Sequence, residues 1–223
     1  MSSLKAVINF ATSELALETR NPFIGIYHDR KAGVLDRKPI PLISIRKIQS
    51  QCIKGDDEMR WLAALVSDTG MRLAEATGLL REDFVHVEGD LPFIRIIPYT
   101  WRTLKTESSK RNVPLVGASL WAAKRIMSQE PVSRFAFPRY NKTAITNANS
   151  ASAALNKWMK PMIPAGCSMH SFRHSMRDRL RAVQCPADIV DQIGGWQTNG
   201  VGHGYGEGYP IEVLHEWLSK VSP

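Results

Sequence analysis

One stretch constrains the fold of this chain more than any other, because its pattern breaks a sequence that otherwise repeats with helical period. Val85–Val87 and Phe93–Ile97 are short β-rich runs flanking Glu88-Gly89-Asp90, a hairpin signal. Asn112–Leu115 supplies a third run, after the polar segment Lys105–Arg111. On either side the apolar residues recur at three and four positions. Ser44–Ile53, Asp57–Val66 and Arg72–Leu80 read as helices before the β-rich stretch. Ser119–Gln129, Asn149–Met159, Met169–Ala182, Pro186–Ile193 and Pro210–Val221 read as helices after it. The expected class is α+β, mostly helical, with one small three-stranded antiparallel sheet.

Near the start, residues 3–20 place Leu4, Val7, Ile8, Phe10, Ala11, Leu15 and Leu17 close to helical spacing, and Asn21-Pro22 ends that helix. A polar, basic, proline-containing connector follows, with His28, Arg30, Lys31, Gly33, Lys38, Pro39 and Pro41. One helix cannot bury its own apolar face. The expected organisation is therefore a terminal helix of a larger, truncated domain at 1–24, a linker at 25–43 and a principal domain at 44–223.

The charge balance narrows the functional classes. The 223 residues hold 29 Lys and Arg against 21 Asp and Glu, a formal charge of +8. Such a chain attracts polyanions, nucleic acid first among them. Cys52, Cys167 and Cys185 are far apart and form no CxxC pair, so they read as small buried hydrophobes rather than as a zinc or redox site. The longest apolar run, Trp61 to Val66, falls far short of the ~20 residues that cross a bilayer. No leader pattern opens the chain, and a cytoplasmic protein with no membrane partner is expected.

Several motifs carry chemistry. In His170-Ser-Phe-Arg-His174 two histidines stand four apart, as in zinc peptidases, but Ser171 occupies the place where that chemistry needs a glutamate. What remains is a titratable imidazole, His170, three residues from a permanent cation, Arg173. Arg72 opens a helix just after the break at Asp68-Thr69-Gly70, with Glu75 three residues on. Lys105-Thr-Glu-Ser-Ser-Lys110-Arg111 taken alone reads as a solvated basic turn. Gly202, Gly204, Gly206 and Gly208 lack the strand and the Gly-Lys-Ser/Thr of a phosphate loop and read as a mobile segment. A tyrosine set between two of those glycines, Tyr205, suits a residue that must reach a substrate.

Together these motifs strongly resemble the catalytic domain of the tyrosine recombinases, the phage-integrase family. Thr69-Gly-Met-Arg72-Leu-Ala-Glu75, with Leu79 and Asp83-Phe84 after it, is similar to that family's first arginine box. Leu104-Lys-Thr to Arg111-Asn-Val-Pro-Leu115 is similar to its lysine hairpin, and His170-Ser-Phe-Arg-His174 to its second box. Ile193-Gly-Gly-Trp196 stands where the family usually has Leu-Gly-His, and Tyr205 follows nine residues later. The resemblance spans about 44–223, and the first helix resembles the end of the family's core-binding domain.

The resemblance implies a site-specific DNA recombinase or integrase of phage or prophage type. Arg72 and Arg173 would clamp the scissile phosphate, and Tyr205 would attack it to form a 3′-phosphotyrosyl intermediate. Lys105 would be the general acid, His170 would assist proton transfer, and Trp196 would donate its indole N–H to a phosphate oxygen. Glu75 would buttress Arg173 and His170. Tyr209 competes with Tyr205, and Lys110 with Lys105. By the same resemblance no metal, ATP or other cofactor is needed. The partner is double-stranded DNA, bound by a homotetramer; exchange of the C-terminal helix between protomers is one arrangement the resemblance allows, and docking on its own domain is the other. A type IB topoisomerase and a catalytically inert DNA-binding module derived from an integrase are the competing readings.

Overall fold

A computed structural model describes residues 2–26, 38–142, 145–196 and 208–222. The chain divides into two compact units, Met1–Asp36 and Arg37–Pro223.

In the first unit, helix α1 spans Ser2–Glu14. It stops earlier than the apolar spacing predicts. Ala16 takes a left-handed backbone (φ 47°), and the chain then turns back. The buried Asn21 side chain donates from Nδ2 to the Lys5 carbonyl (3.0 Å) and to Asn9 Oδ1 (2.6 Å). These bonds tie the returning segment to the helix and take the place of its expected last turn. Leu4, Val7 and Phe10 are exposed.

The second unit is built around helix α3 (Glu58–Thr69), which is buried continuously from Leu62 to Thr69 and packs against α2 (Leu42–Gly55), α5 (Gly117–Ser128) and α7 (Ser171–Ala182). Asp57 caps its N-terminus by accepting the Arg60 N–H at 3.0 Å. Gly70 ends it with φ 60°, and a Cβ there would lie 2.7 Å from Met176 Cβ. Left-handed backbone and close helix approach thus both require glycine at this point. Three residues later the short helix α4, Leu73–Thr77, begins.

The sheet is antiparallel in the order β1 (Phe84–Val85), β2 (Phe93–Ile96), β3 (Arg111–Pro114). Ile94 pairs with Val113 and Ile96 with Arg111. This is the mostly helical α+β class that the alternating patterns predict. The remaining helices among the described residues are α6 (Ala148–Met159), α8 (Ala187–Gly194) and α9 (Ile211–Ser219). Leu214, Leu218 and Val221 pack with Val116, Met176, Leu180, Ile189 and Ile193 in a second, smaller core. Helix α9 therefore lies on its own chain in this structure.

Cys52 and Cys185 are buried and burial pushes their thiols up, to about 12 and about 11. Cys167 is half-buried. All three are free thiols. Among the described residues no helix is long and apolar enough to cross a membrane.

Candidate active site

The Gly70 turn delivers Arg72 to the N-terminus of α4, where Glu75 folds back upon it. The Arg72 backbone N–H donates to Glu75 Oε2 at 3.0 Å, and Arg72 Nη1 donates to Oε1 at 2.6 Å. A carboxylate in the first turn of a helix suits the unsatisfied N–H groups there. Arg72 Nη1 also donates to Ser109 Oγ (3.0 Å), and Nη2 reaches the Gly195 carbonyl (3.5 Å).

Arg173 arrives from α7. Its Nη1 donates to the Gly70 carbonyl (3.1 Å) and its Nη2 to the same Gly195 carbonyl (3.4 Å). The two arginines, a hundred positions apart in sequence, thus converge on one oxygen. The Trp196 ring covers this meeting point: the Arg173 guanidinium carbon lies 4.3 Å from the ring centroid and that of Arg177 lies 5.2 Å away. Cations over an aromatic face are held by the ring quadrupole. The indole thus holds the arginine by its face, a role distinct from the N–H donation that the resemblance implies.

Beneath them sits Arg111, one of the residues that sequence reasoning left without a role. It is buried, and it donates to Glu75 Oε2 (3.1 Å), to the Ser109 carbonyl (2.7 Å) and to the Ile193 carbonyl (2.9 Å). A signal for it existed. In β3 the side chains of Arg111 and Val113 share a face by the strand's period of two, and Val113 is an obvious core residue. Ser109, whose hydroxyl joins Arg72 to the lysine loop, left no such signal.

Glu75 bonds Arg72 and Arg111 directly, and its charge also favours the cationic form of Arg173. Both of its oxygens are taken up by Arg72 and Arg111. Burial alone pushes this carboxyl up, but Arg111 and then Arg72 outweigh it and hold it below the ordinary carboxylate value. Arg173 shows the complementary effect. Burial, with Arg72 and Arg111 close by, pulls it down to about 9, still charged at neutral pH. Three guanidiniums thus gather about one buried carboxylate. The excess positive charge of these fork-shaped donors is what an oxyanion would complete.

Lys105 is exposed in the loop between β2 and β3. The neighbouring Thr106 hydroxyl lies 3.0 Å from Ser109 Oγ, so the loop is tied through Ser109 to Arg72. Lys110, also exposed, lies between Ser109 and Arg111 in the same loop. The base of the loop is anchored by Arg102, which donates to the carbonyls of Ile97 (2.7 Å) and Glu75 (3.1 Å) and pairs with Asp83 at 3.4 Å. His170 is exposed at the N-terminus of α7, one turn before Arg173, its ring edge-on to His174 at 5.4 Å. The structure therefore brings Arg72, Glu75, Arg173 and Trp196 together, ties in the loop of Lys105, and sets His170 on the helix end beside them.

Tyr205 lies outside the described residues, as do Gly202, Gly204 and Gly206. Tyr209 is described, and it is engaged elsewhere. Its N–H donates to Gln192 Oε1 (2.8 Å), its carbonyl accepts from Gln192 Nε2 (2.9 Å), and its hydroxyl donates to Asp188 (2.5 Å). The hydrogen bond to the Asp188 carboxylate pushes its phenol above the ordinary tyrosine value, which opposes formation of a nucleophilic phenolate.

Residues 44–205 match the sequence pattern of the phage integrase family. No curated protein sequence matches the chain. Among solved structures, the Tn1549 transposon integrase in complex with transposon right-end DNA is similar at a TM-score of 0.56 and 20% identity, over 97% of this chain and 72% of that one. The integrase from mycobacterium phage Brujita is similar at 0.59 and 14%, over 99% and 70%. The XerA recombinase is similar at 0.50 and 14%, over 97% and 68%. At these identities the likeness is one of fold.

Proposed function

The chain belongs to the phage integrase family of tyrosine recombinases, and on that premise we propose that it is a DNA strand transferase that cuts and rejoins double-stranded DNA through a 3′-phosphotyrosyl intermediate. The observation that carries this reading is the convergence of Arg72 and Arg173 on one point, over a cluster with more guanidiniums than carboxylates. A phosphodiester under attack gathers negative charge on its equatorial oxygens, and fixed guanidiniums lower that barrier without reorganising. In this reading a phosphate takes the place of the Gly195 carbonyl as the arginines' common partner.

Tyr205 Oη attacks the phosphorus. The new P–O bond joins the 3′-phosphate to the enzyme, and the bond to the 5′-oxygen breaks. Lys105 gives that oxygen a proton, while the phenol proton departs with help from His170. Tyrosine's ordinary pKa near ~10 makes such help necessary at neutral pH. The ester keeps the energy of the broken bond, so a second 5′-hydroxyl reverses the step without ATP or metal. Trp196 fixes the Arg173 plane. Residues 44–223 carry this chemistry as a catalytic domain, 1–24 belong to a core-binding domain, and 25–43 link them. A homotetramer on DNA is the assembly that follows from this reading.

The test is covalent capture on nicked duplexes that lose the 5′-hydroxyl strand after cleavage. An adduct mapped to Tyr205 and absent from Tyr205→Phe is the expected result. An adduct on Tyr209 would keep the class and overturn the nucleophile. Relaxation of supercoiled plasmid without strand exchange would point to a topoisomerase, and DNA binding with no adduct to an inert module.

A further inference from the structure

We infer that Arg111 is the positioning residue of this site, the buried fork that ties the arginine box, the lysine loop and the Gly195–Trp196 turn into one unit. The inference rests on the strand-transfer reading above. Each of its three branches ends on a different segment. Nη2 holds Glu75 (3.1 Å), which in turn holds Arg72; Nη1 holds the Ser109 carbonyl (2.7 Å) at the end of the lysine loop; Nε holds the Ile193 carbonyl (2.9 Å) two residues before Gly195. No single-chain neighbour relation links these segments: Glu75 is 36 positions from Arg111 and Ile193 is 82.

The fit is close. Gly195 has φ 60°, and a Cβ there would lie 2.7 Å from Arg111 Nη1. The turn whose carbonyl both Arg72 and Arg173 address is therefore shaped against the Arg111 guanidinium. A lysine could keep the charge but has no planar fork, so it cannot hold three carbonyl or carboxylate partners in these directions. Arg111 does not reach the solvent side of the cluster, where a phosphate would lie, and it acts through Glu75, Ser109 and the turn.

Its charge has a second consequence. Glu75 is faced by Arg72 from α4, by Arg111 from β3, by Arg102, which donates to the Glu75 carbonyl, and by Arg173 from α7. With Arg111 removed, the carboxylate answers mainly to Arg72, and it takes up a proton at a higher pH. Arg72 then loses its anchor in mildly acidic solution.

The test compares Arg111→Lys and Arg111→Met with the wild-type chain, measuring adduct formation on saturating nicked duplex, duplex affinity and thermal unfolding. Arg111→Lys is expected to fold and to bind duplex within twofold of wild type, while its adduct forms at least tenfold more slowly. In Arg111→Met the acid limb of the rate profile is expected to move to higher pH, a shift that a purely structural role would not produce. A folded Arg111→Lys chain within twofold of the wild-type rate would overturn the inference. So would an Arg111→Lys chain that fails to fold, because Arg111 would then serve the core rather than the site. If the wild-type chain itself yields no adduct, the strand-transfer reading falls, and with it the reaction that Arg111 is said to position.

Discussion

Replacing Glu75 with glutamine tests the electrostatics of the site independently of catalysis. The carboxylate is 3% exposed and accepts from Arg72 at 2.6 and 3.0 Å and from Arg111 at 3.1 Å. A unit charge pair ~4 Å apart interacts by about 4 kcal/mol at an effective dielectric constant of ~20. Removing one member of a buried pair costs about 3–5 kcal/mol, because the remaining charge is left uncompensated. Glutamine keeps one acceptor, so the lower end of that range is expected. For a chain of this size a loss of about 3 kcal/mol corresponds to a fall of roughly 6–12 °C in unfolding temperature.

The pH dependence has a definite sign. Glu75's folded pKa is depressed, so its contribution is present above the unfolded value of ~4.3 and is lost as pH falls through the folded value. The gap between wild type and Glu75→Gln is therefore widest at neutral pH and narrows as the solution is made acidic below the unfolded value. Denaturant melts of both chains across that range measure it. A gap under about 1 kcal/mol at pH 7, or one that does not narrow in acid, would refute the proposed role of the buried carboxylate.

Trp196→Ala should slow adduct formation by roughly 2- to 30-fold, the worth of a cation–π contact of about 0.5–2 kcal/mol, while Trp196→Phe should lose less. Gly70→Ala forces a Cβ against Met176 at a left-handed backbone position; a loss of about 1–3 kcal/mol in a denaturant melt is expected. Tyr209 should ionise later than a free tyrosine in a phenolate absorbance titration, and Asp188→Asn should remove the delay. Tyr209→Phe should leave the adduct on Tyr205. Duplex binding should weaken steeply as salt is raised, since phosphate neutralisation releases counterions; nanomolar, salt-insensitive binding in a titration would contradict this.

Local rules explain how much was legible in the sequence. The hairpin around Glu88-Gly89-Asp90, the helical periods and the glycine break before Arg72 depend on neighbours a few positions away, and all three stand in the structure. The arginine box was readable too, because Arg72 and Glu75 meet within one turn of helix. Helix α1 is shorter than its apolar stripe predicts, because the stripe continues to Leu17 while Asn21 folds back to bond Lys5 and Asn9. Arg111 stood in a run that resembled a solvated turn. The pairing of β3 with β2, and the packing of α8 on β3, turn its side chain into the interior on the face it shares with Val113.

By itself, then, the sequence determined which chemistry-bearing residues exist, their order, and the local turns and helix starts that present them. Tertiary structure decided their mutual distances and their charge environment. Arg173 meets the Gly70 carbonyl across 103 positions because α7 packs on α3, and it loses part of its affinity for a proton because burial brings Arg72 and Arg111 beside it. Tertiary structure also seated α9 on its own chain, through Leu214 and Leu218. The physical reason is range. Backbone conformation and capping are settled within a turn or two, whereas burial and Coulomb interactions depend on every element that surrounds a group in space.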